Sequence, residues 1–299
     1  MVFSRLSRLL SSSLTSLPPS SPSHAPLSEA LALSSGLEPY LSRNTNELIV
    51  PRSHAVSEEA VRAVWEELLK ETREHDWEGV WREGKVGWRL FPGMCSGGYE
   101  GMVLQHFALM TKAKRVLEIG VFTGTATLAL ALVPSINHIT ALDIEPYLKS
   151  FSTSFWERAG VAHKIDYRIA PALETLDRLA EEGTTEGYDL VFIDADKPGY
   201  RGYLDKILEK GLLKEDGVIL ADNTLSQGNP IVPNSQHPPG GRKHNWLPAG
   251  TDTAKAGGVA GDPVADAIDE FNKYVQQHPD LEVVQLPIRD GVSVIRRRV

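Results

Sequence analysis

The apolar positions of this chain alternate between two periods. Short aliphatic runs read as strands buried in a parallel sheet: Val116-Leu-Glu-Ile119, His138-Ile-Thr-Ala-Leu-Asp143, Lys164 to Ile169, Tyr188 to Asp194, and Gly217-Val-Ile-Leu-Ala-Asp222. Helical spacing fills the gaps, from Thr125 to Val133, from the second strand to Ala159, from Pro171 to Glu182 and from Pro198 to Lys210. A helix over Asp262 to His278 precedes two last strands, Leu281 to Leu286 and Gly291 to Val299, whose direct link makes them antiparallel. Strand–helix alternation of this kind predicts an α/β sheet.

Upstream the pattern is helical. Leu27 to Arg43 reads as a helix interrupted near Gly36 and Pro39. Ser57-Glu58-Glu59 opens another, with Val61, Val64, Trp65, Leu68 and Leu69 on one face and an end near His75. Trp77, Trp81, Trp88 and Phe91 follow among charges; they could cover a pocket or pack as a lid or dimer contact, and packing is the preferred reading. Glu100 to Lys112 is a helix running into the first strand. Residues 1–28 hold ten serines, four prolines, Arg5 and Arg8, and no acid. They suit either a disordered tail or the amphipathic start of a mitochondrial presequence. The expected division is therefore a tail over 1–28, a helical extension over 29–93 and the main domain over 94–299, with an insertion at 228–262.

Composition narrows the partners. With 299 residues, 41% hydrophobic and 23% charged, the chain has the make-up of a soluble globular protein with one large domain plus extensions. A net charge of −8 argues against nucleic acid or an anionic membrane as its main partner. Cys95 is alone, so no intrachain disulfide forms and the cytosol is the expected compartment, with mitochondrial import as the alternative. No apolar run reaches transmembrane length.

Chemistry gathers at the strand ends, where open α/β sheets bind ligands. The turn after the first strand, Glu118-Ile-Gly120-Val-Phe-Thr-Gly124, lacks the third glycine of the dinucleotide fingerprint. An acid there repels phosphate and attracts an ammonium, which suits S-adenosylmethionine. Asp143 is placed for the two ribose hydroxyls, and Glu118, deeper, for an ammonium or a ribose hydroxyl. Asp194, Asp222 and Asn223 offer oxygen alone, which favours Mg²⁺, Mn²⁺ or Ca²⁺ over zinc. Lys197 would face the same ion, suited to proton transfer, unless it is a solvated lysine at a helix start. Each Asp taken singly also suits a helix N-cap.

Taken together the motifs resemble the cation-dependent class I O-methyltransferases of the caffeoyl-CoA and catechol type. The matching stretches include Met94-Cys-Ser96, Glu100-Gly101, Leu117 to Gly124, Ala159 to Asp166, Ala170-Pro-Ala-Leu173, Phe192 to Lys197, Asp222-Asn-Thr-Leu225 and Asp290-Gly-Val292. The resemblance implies a doubly wound, seven-stranded, mostly parallel sheet with flanking helices, often as a homodimer. It implies Asp194, Asp222 and Asn223 as metal ligands and Lys197 as the catalytic lysine, with Asp194 beside it. It also implies that Met94, Ser96, Glu118, Gly120, Asp143, Ala172 and Asp194 contact the cofactor, and that the acceptor is a hydroxyl of a vicinal dihydroxy aromatic or its CoA ester. Three departures fall where substrate is held: Ala126 replaces the family's serine, Ser226 an aromatic, and Gly97-Gly98-Tyr99 precedes Glu100 where plant members carry an acid. The competing readings are an inactive S-adenosylmethionine-binding assembly module and a nicotinamide dehydrogenase. The Gly228 to Asp262 insertion, rooted at Asp222-Asn223, is expected to close over the acceptor with Trp246 as its aromatic wall.

Overall fold

The structure is a computed structural model that describes residues 2–42, 48–52, 54–183, 186–226, 230 and 263–299. Seven strands form one sheet in the order β3-β2-β1-β4-β5-β7-β6. They are β1 (Arg115–Ile119), β2 (His138–Asp143), β3 (Ile165–Ile169), β4 (Tyr188–Ile193), β5 (Leu213–Asp222), β6 (Leu281–Leu286) and β7 (Val292–Arg297). The first five run parallel, and β7 lies antiparallel to both β5 and β6. The doubly wound, seven-stranded, mostly parallel fold expected from the sequence is therefore the observed one.

Ten α-helices are seen among the described residues: α1 (Val2–Thr15), α2 (His24–Ser42), α3 (Glu58–Glu74), α4 (Trp77–Arg82), α5 (Gly97–Met110), α6 (Thr125–Ala131), α7 (Pro146–Arg158), α8 (Ala172–Glu181), α9 (Tyr200–Glu209) and α10 (Pro263–Gln277). Ser57 caps α3 as its sequence predicts, its hydroxyl accepting the Ala60 N–H at 3.2 Å. Side chains alternate across the sheet. Val116, Leu190, Phe192 and Leu220 pack with α3, α5, α6 and α7 on one face. Leu117, Val191, Ile193 and Ile219 pack with α8, α9 and α10 on the other. Both faces of the central strands are covered, which is why their sequences read as nearly continuous apolar runs.

The strand order reverses between β1 and β4, and there the two strand ends almost touch. Gly120 has φ +92°, and a Cβ on it would overlap the Asp194 carbonyl oxygen. Only glycine fits. At the far end of the chain, the turn between β6 and β7 folds back on the segment after β5: the Thr224 N–H donates to Gly291 O at 3.0 Å and the Leu225 N–H to Asp290 O at 2.7 Å. Helices α1 and α2 pack on each other through contacts that include Ser7 Oγ to Ser34 Oγ at 2.9 Å. Among residues 6–37 only Ser34 is buried, so this pair contributes little to the core.

Candidate active site

A cavity of about 700 Å³ opens at the carboxyl ends of β1, β2, β4 and β5, a size suited to small ligands. Nine of the ten residues singled out from the sequence line it: Met94, Ser96, Gly120, Asp143, Ala172, Asp194, Lys197, Asp222 and Asn223. Glu118 does not. Its side chain lies in the apolar layer under α6, completely buried, and neither oxygen has a hydrogen-bond partner among the described residues. Burial pushes its carboxyl up to about 8. The nearby Thr127 hydroxyl opposes that rise without closing a hydrogen bond.

Asp143 is tied down by the backbone. Its Oδ2 accepts the N–H groups of Val121 and Phe122 at 2.9 and 3.0 Å, and its Oδ1 those of Ile144 and Glu145 at 2.7 and 3.0 Å. One carboxylate thus fastens the end of β2 to the glycine turn after β1. Burial raises its pKa and these four bonds oppose the rise. Around it the wall is apolar, with Phe122, Leu148, Leu90 and Trp88. The aromatic segment before Met94 divides its work. Trp77 is buried against Phe122 and Phe151, as the packing reading expects, whereas Trp88 is 40% exposed and lines the cavity.

The other end is ionic. Asp194 follows β4 and Asp222 ends the neighbouring β5, since Ile193 pairs with Ala221 in the β4–β5 ladder. Lys197 Nζ donates to Asp194 Oδ1 at 3.0 Å and to the Tyr200 hydroxyl at 2.6 Å. Tyr200, fully buried, shares its own proton between Ile193 O at 3.1 Å and Asp222 O at 3.0 Å. It therefore clamps the ends of β4 and β5 while accepting from the lysine. Asn223, at φ +58°, donates through Nδ2 to Asp222 Oδ2 at 2.6 Å, leaving its amide oxygen to accept. Asp222 Oδ1 is buried with no hydrogen-bond partner. Burial, then the charge of Asp194, hold the Asp222 carboxyl well above its usual range. Glu100, also buried, is raised by burial and by Asp222.

Oxygen-only donors and an orphaned buried carboxylate oxygen suit a hard divalent cation. Among the described residues no group of three His, Cys, Asp or Glu side chains is placed to hold a metal. A cation here would therefore depend on the amide of Asn223 and on the bound acceptor to complete its shell. Tyr200, Glu100 and Arg289 had no role assigned from the sequence; Glu100 belonged to a matching motif, and the spacing of Tyr200 three residues after Lys197 was the available signal for that one. The insertion and Trp246 lie outside the described residues, apart from Pro230.

The family profile described as O-methyltransferase matches residues 67–298. A caffeoyl-CoA O-methyltransferase of Nicotiana tabacum is 34% identical over 233 residues, 77% of this chain and 84% of the tobacco enzyme. One from Mesembryanthemum crystallinum is 36% identical over 215 residues, 71% of this chain and 75% of that enzyme. Among solved structures, the SAH-bound methyltransferase PaMTH1 of Podospora anserina superimposes with a TM-score of 0.65 at 26% identity, covering 89% of this chain and 96% of that one.

Proposed function

Since the chain belongs to the O-methyltransferase family, we propose that it methylates one hydroxyl of a vicinal dihydroxy aromatic, a catechol or its CoA ester, using S-adenosylmethionine and a divalent cation. The observation that carries this reading is the meeting of Asp194, Lys197, Asp222 and Asn223 in the lining of one cavity with Gly120, Asp143 and Ala172. An assembly module or a nicotinamide dehydrogenase has no use for that set.

When bound, the cofactor would supply an electrophilic methyl group, and a divalent cation, which Asp194, Asp222 and Asn223 would hold, would lower the pKa of a phenol from about 10. The protein's own part is positioning and proton transfer. Gly120 lets the turn after β1 pass against the Asp194 backbone, and the apolar wall of Phe122, Leu148 and Leu90 excludes water from the ligand. Lys197 takes the acceptor's proton. A neutral amine has two N–H groups and one lone pair. With Asp194 and Tyr200 each holding one N–H, the lone pair is left at the remaining tetrahedral vertex, for the acceptor hydroxyl. Asp194 and Tyr200 then hold the charged form after transfer.

The decisive assay is labelled-methyl transfer to a panel of catechols with and without chelator. Activity should vanish with chelator, return with Mg²⁺ or Mn²⁺, and fall at least about 100-fold in Asp222→Asn, as loss of a ligand to a catalytic metal or of its support does. Chelator-insensitive transfer would remove the cation from the proposal.

A further inference from the structure

The cavity contains a second cation that the mechanism above does not use. Among its described lining residues only Lys197 and Arg289 are basic, and Lys197 is engaged by Asp194 and Tyr200. Arg289 sits in the turn between β6 and β7 at φ +49°, the left-handed region that favours glycine. A residue with a Cβ stays there only where its surroundings hold it. Here the side chain is held from one nitrogen. Arg289 Nη1 donates to Cys95 O at 3.1 Å, to Ser96 O, and to Glu100 Oε2 at 3.1 Å. Glu100 is 1% exposed, so the charge pair is shielded from water.

All those bonds leave from Nη1. Nε and Nη2 make no hydrogen bond among the described residues, and the side chain keeps 22% of its surface open. Those two nitrogens form one edge of the guanidinium, a pair of parallel N–H donors whose spacing matches a carboxylate. An arginine anchored by one corner with that edge free is preorganised to receive one. Its place in the fold says which ligand. The turn is bonded to Thr224 and Leu225, just past Asp222 and Asn223 at the end of β5, three strands from β2, whose end carries Asp143. The surrounding wall is acidic, with Glu100, Asp194, Asp222 and Asp290, so an anionic acceptor needs a cation to offset repulsion.

We propose that Arg289 binds a carboxylate carried by the methyl acceptor, which makes the substrate a dihydroxy aromatic free acid rather than its thioester. This rests on the methyl-transfer reading. The same chemistry could come from the amino-acid tail of the cofactor, and the test separates the two sources.

Full-length wild type, Arg289→Lys, and the double variant Arg289→Met with Glu100→Gln are compared; the double variant leaves neither member of the Arg289–Glu100 pair behind as a lone charge. Probes are 3,4-dihydroxybenzoate and catechol, which differ only by the carboxylate, and the cofactor product is titrated by calorimetry. In both variants the kcat/KM ratio of acid to catechol should fall about tenfold or more, mainly through KM for the acid, with cofactor-product Kd within about twofold. A weakened cofactor-product Kd with the ratio retained would assign the fork to the cofactor's carboxylate and overturn the proposal. An unchanged ratio with unchanged Kd would make Arg289 a tie between turn and loop, and overturn it too. If wild type methylates neither probe, the parent reading fails on its own. Calorimetric binding of the two probes then judges the fork, and equal affinities would sink it.

Discussion

Glu118 stands without a counter-charge inside an apolar layer, and its burden depends on pH. Its folded-state pKa is pushed up to about 8 from an ordinary 4.5. A raised pKa means that the folded form binds the extra proton, so this group's contribution to stability is complete below about pH 4.5 and is lost as pH rises through 8. Glu118→Gln cannot lose it. The difference in Tm, variant minus wild type, should therefore grow steadily from pH 5 to pH 8.5 in ligand-free protein, read by differential scanning fluorimetry. Parallel Tm curves would mean that Glu118 stays charged. At this scale the sequence was readable wherever a residue's task is local. Gly120 follows a strand and Asp143 ends one, and both line the cavity. Arg289 and Tyr200 escaped notice for an opposite reason. The partner of Arg289, Glu100, is 189 positions away, and the Tyr200 hydroxyl serves a carbonyl 22 positions on. No local spacing announces such pairs.

The aromatic segment between α4 and α5 acts as one element. Val86 and Leu90 are buried and the Gly87 N–H donates to Glu145 Oε2 at 2.9 Å, which holds Trp88 over the mouth of the cavity beside Leu148 and Ile144. A half-exposed indole there gains burial when a ligand arrives. We expect Trp88→Ala to weaken S-adenosylmethionine binding about tenfold, the scale of one lost stacking contact on a base, with little change in Tm. If acceptor KM rises while cofactor Kd holds, the mouth belongs to the acceptor instead. The strands, read as short apolar runs, were the most legible elements. Strand β5 is the instructive exception, because it starts at Leu213 rather than Gly217. Glu215 and Asp216 are exposed, so they hide the strand from any apolar pattern, and the ladder with β4 is irregular between Tyr188 and Leu190.

For the molecule as a whole, the main body is proposed to be independent of its first two helices. The core cluster beneath α3 begins at Leu48, and the family profile matches from residue 67. Removing residues 1–42 should leave Tm within roughly 2–4 °C, the shift given by about 1 kcal/mol in a domain of this size. A larger loss would make α2 part of the fold. No helix among the described residues is long and apolar enough to cross a membrane. Fluorescent fusions with and without residues 1–28 distinguish cytosol from mitochondrial import, since identical distribution removes any targeting role. Light scattering on the same samples tests the proposed homodimer, which requires about twice the chain mass of 32.8 kDa.

The bonds from Thr224 and Leu225 to the turn at Asp290 and Gly291 bring the chain back to the point it left 65 residues earlier. Within that span α10 and β6 are themselves packed on the sheet, so the excursion hung on this knot is the insertion at 228–262. Closing a longer loop costs little more than closing a shorter one. A lineage can therefore lengthen, shorten or rewrite that excursion while the knot keeps Asp222, Asn223 and Arg289 in register. Inheritance of the chemistry is in this way uncoupled from drift in whatever the excursion touches, and acceptor choice is free to diverge faster than the reaction.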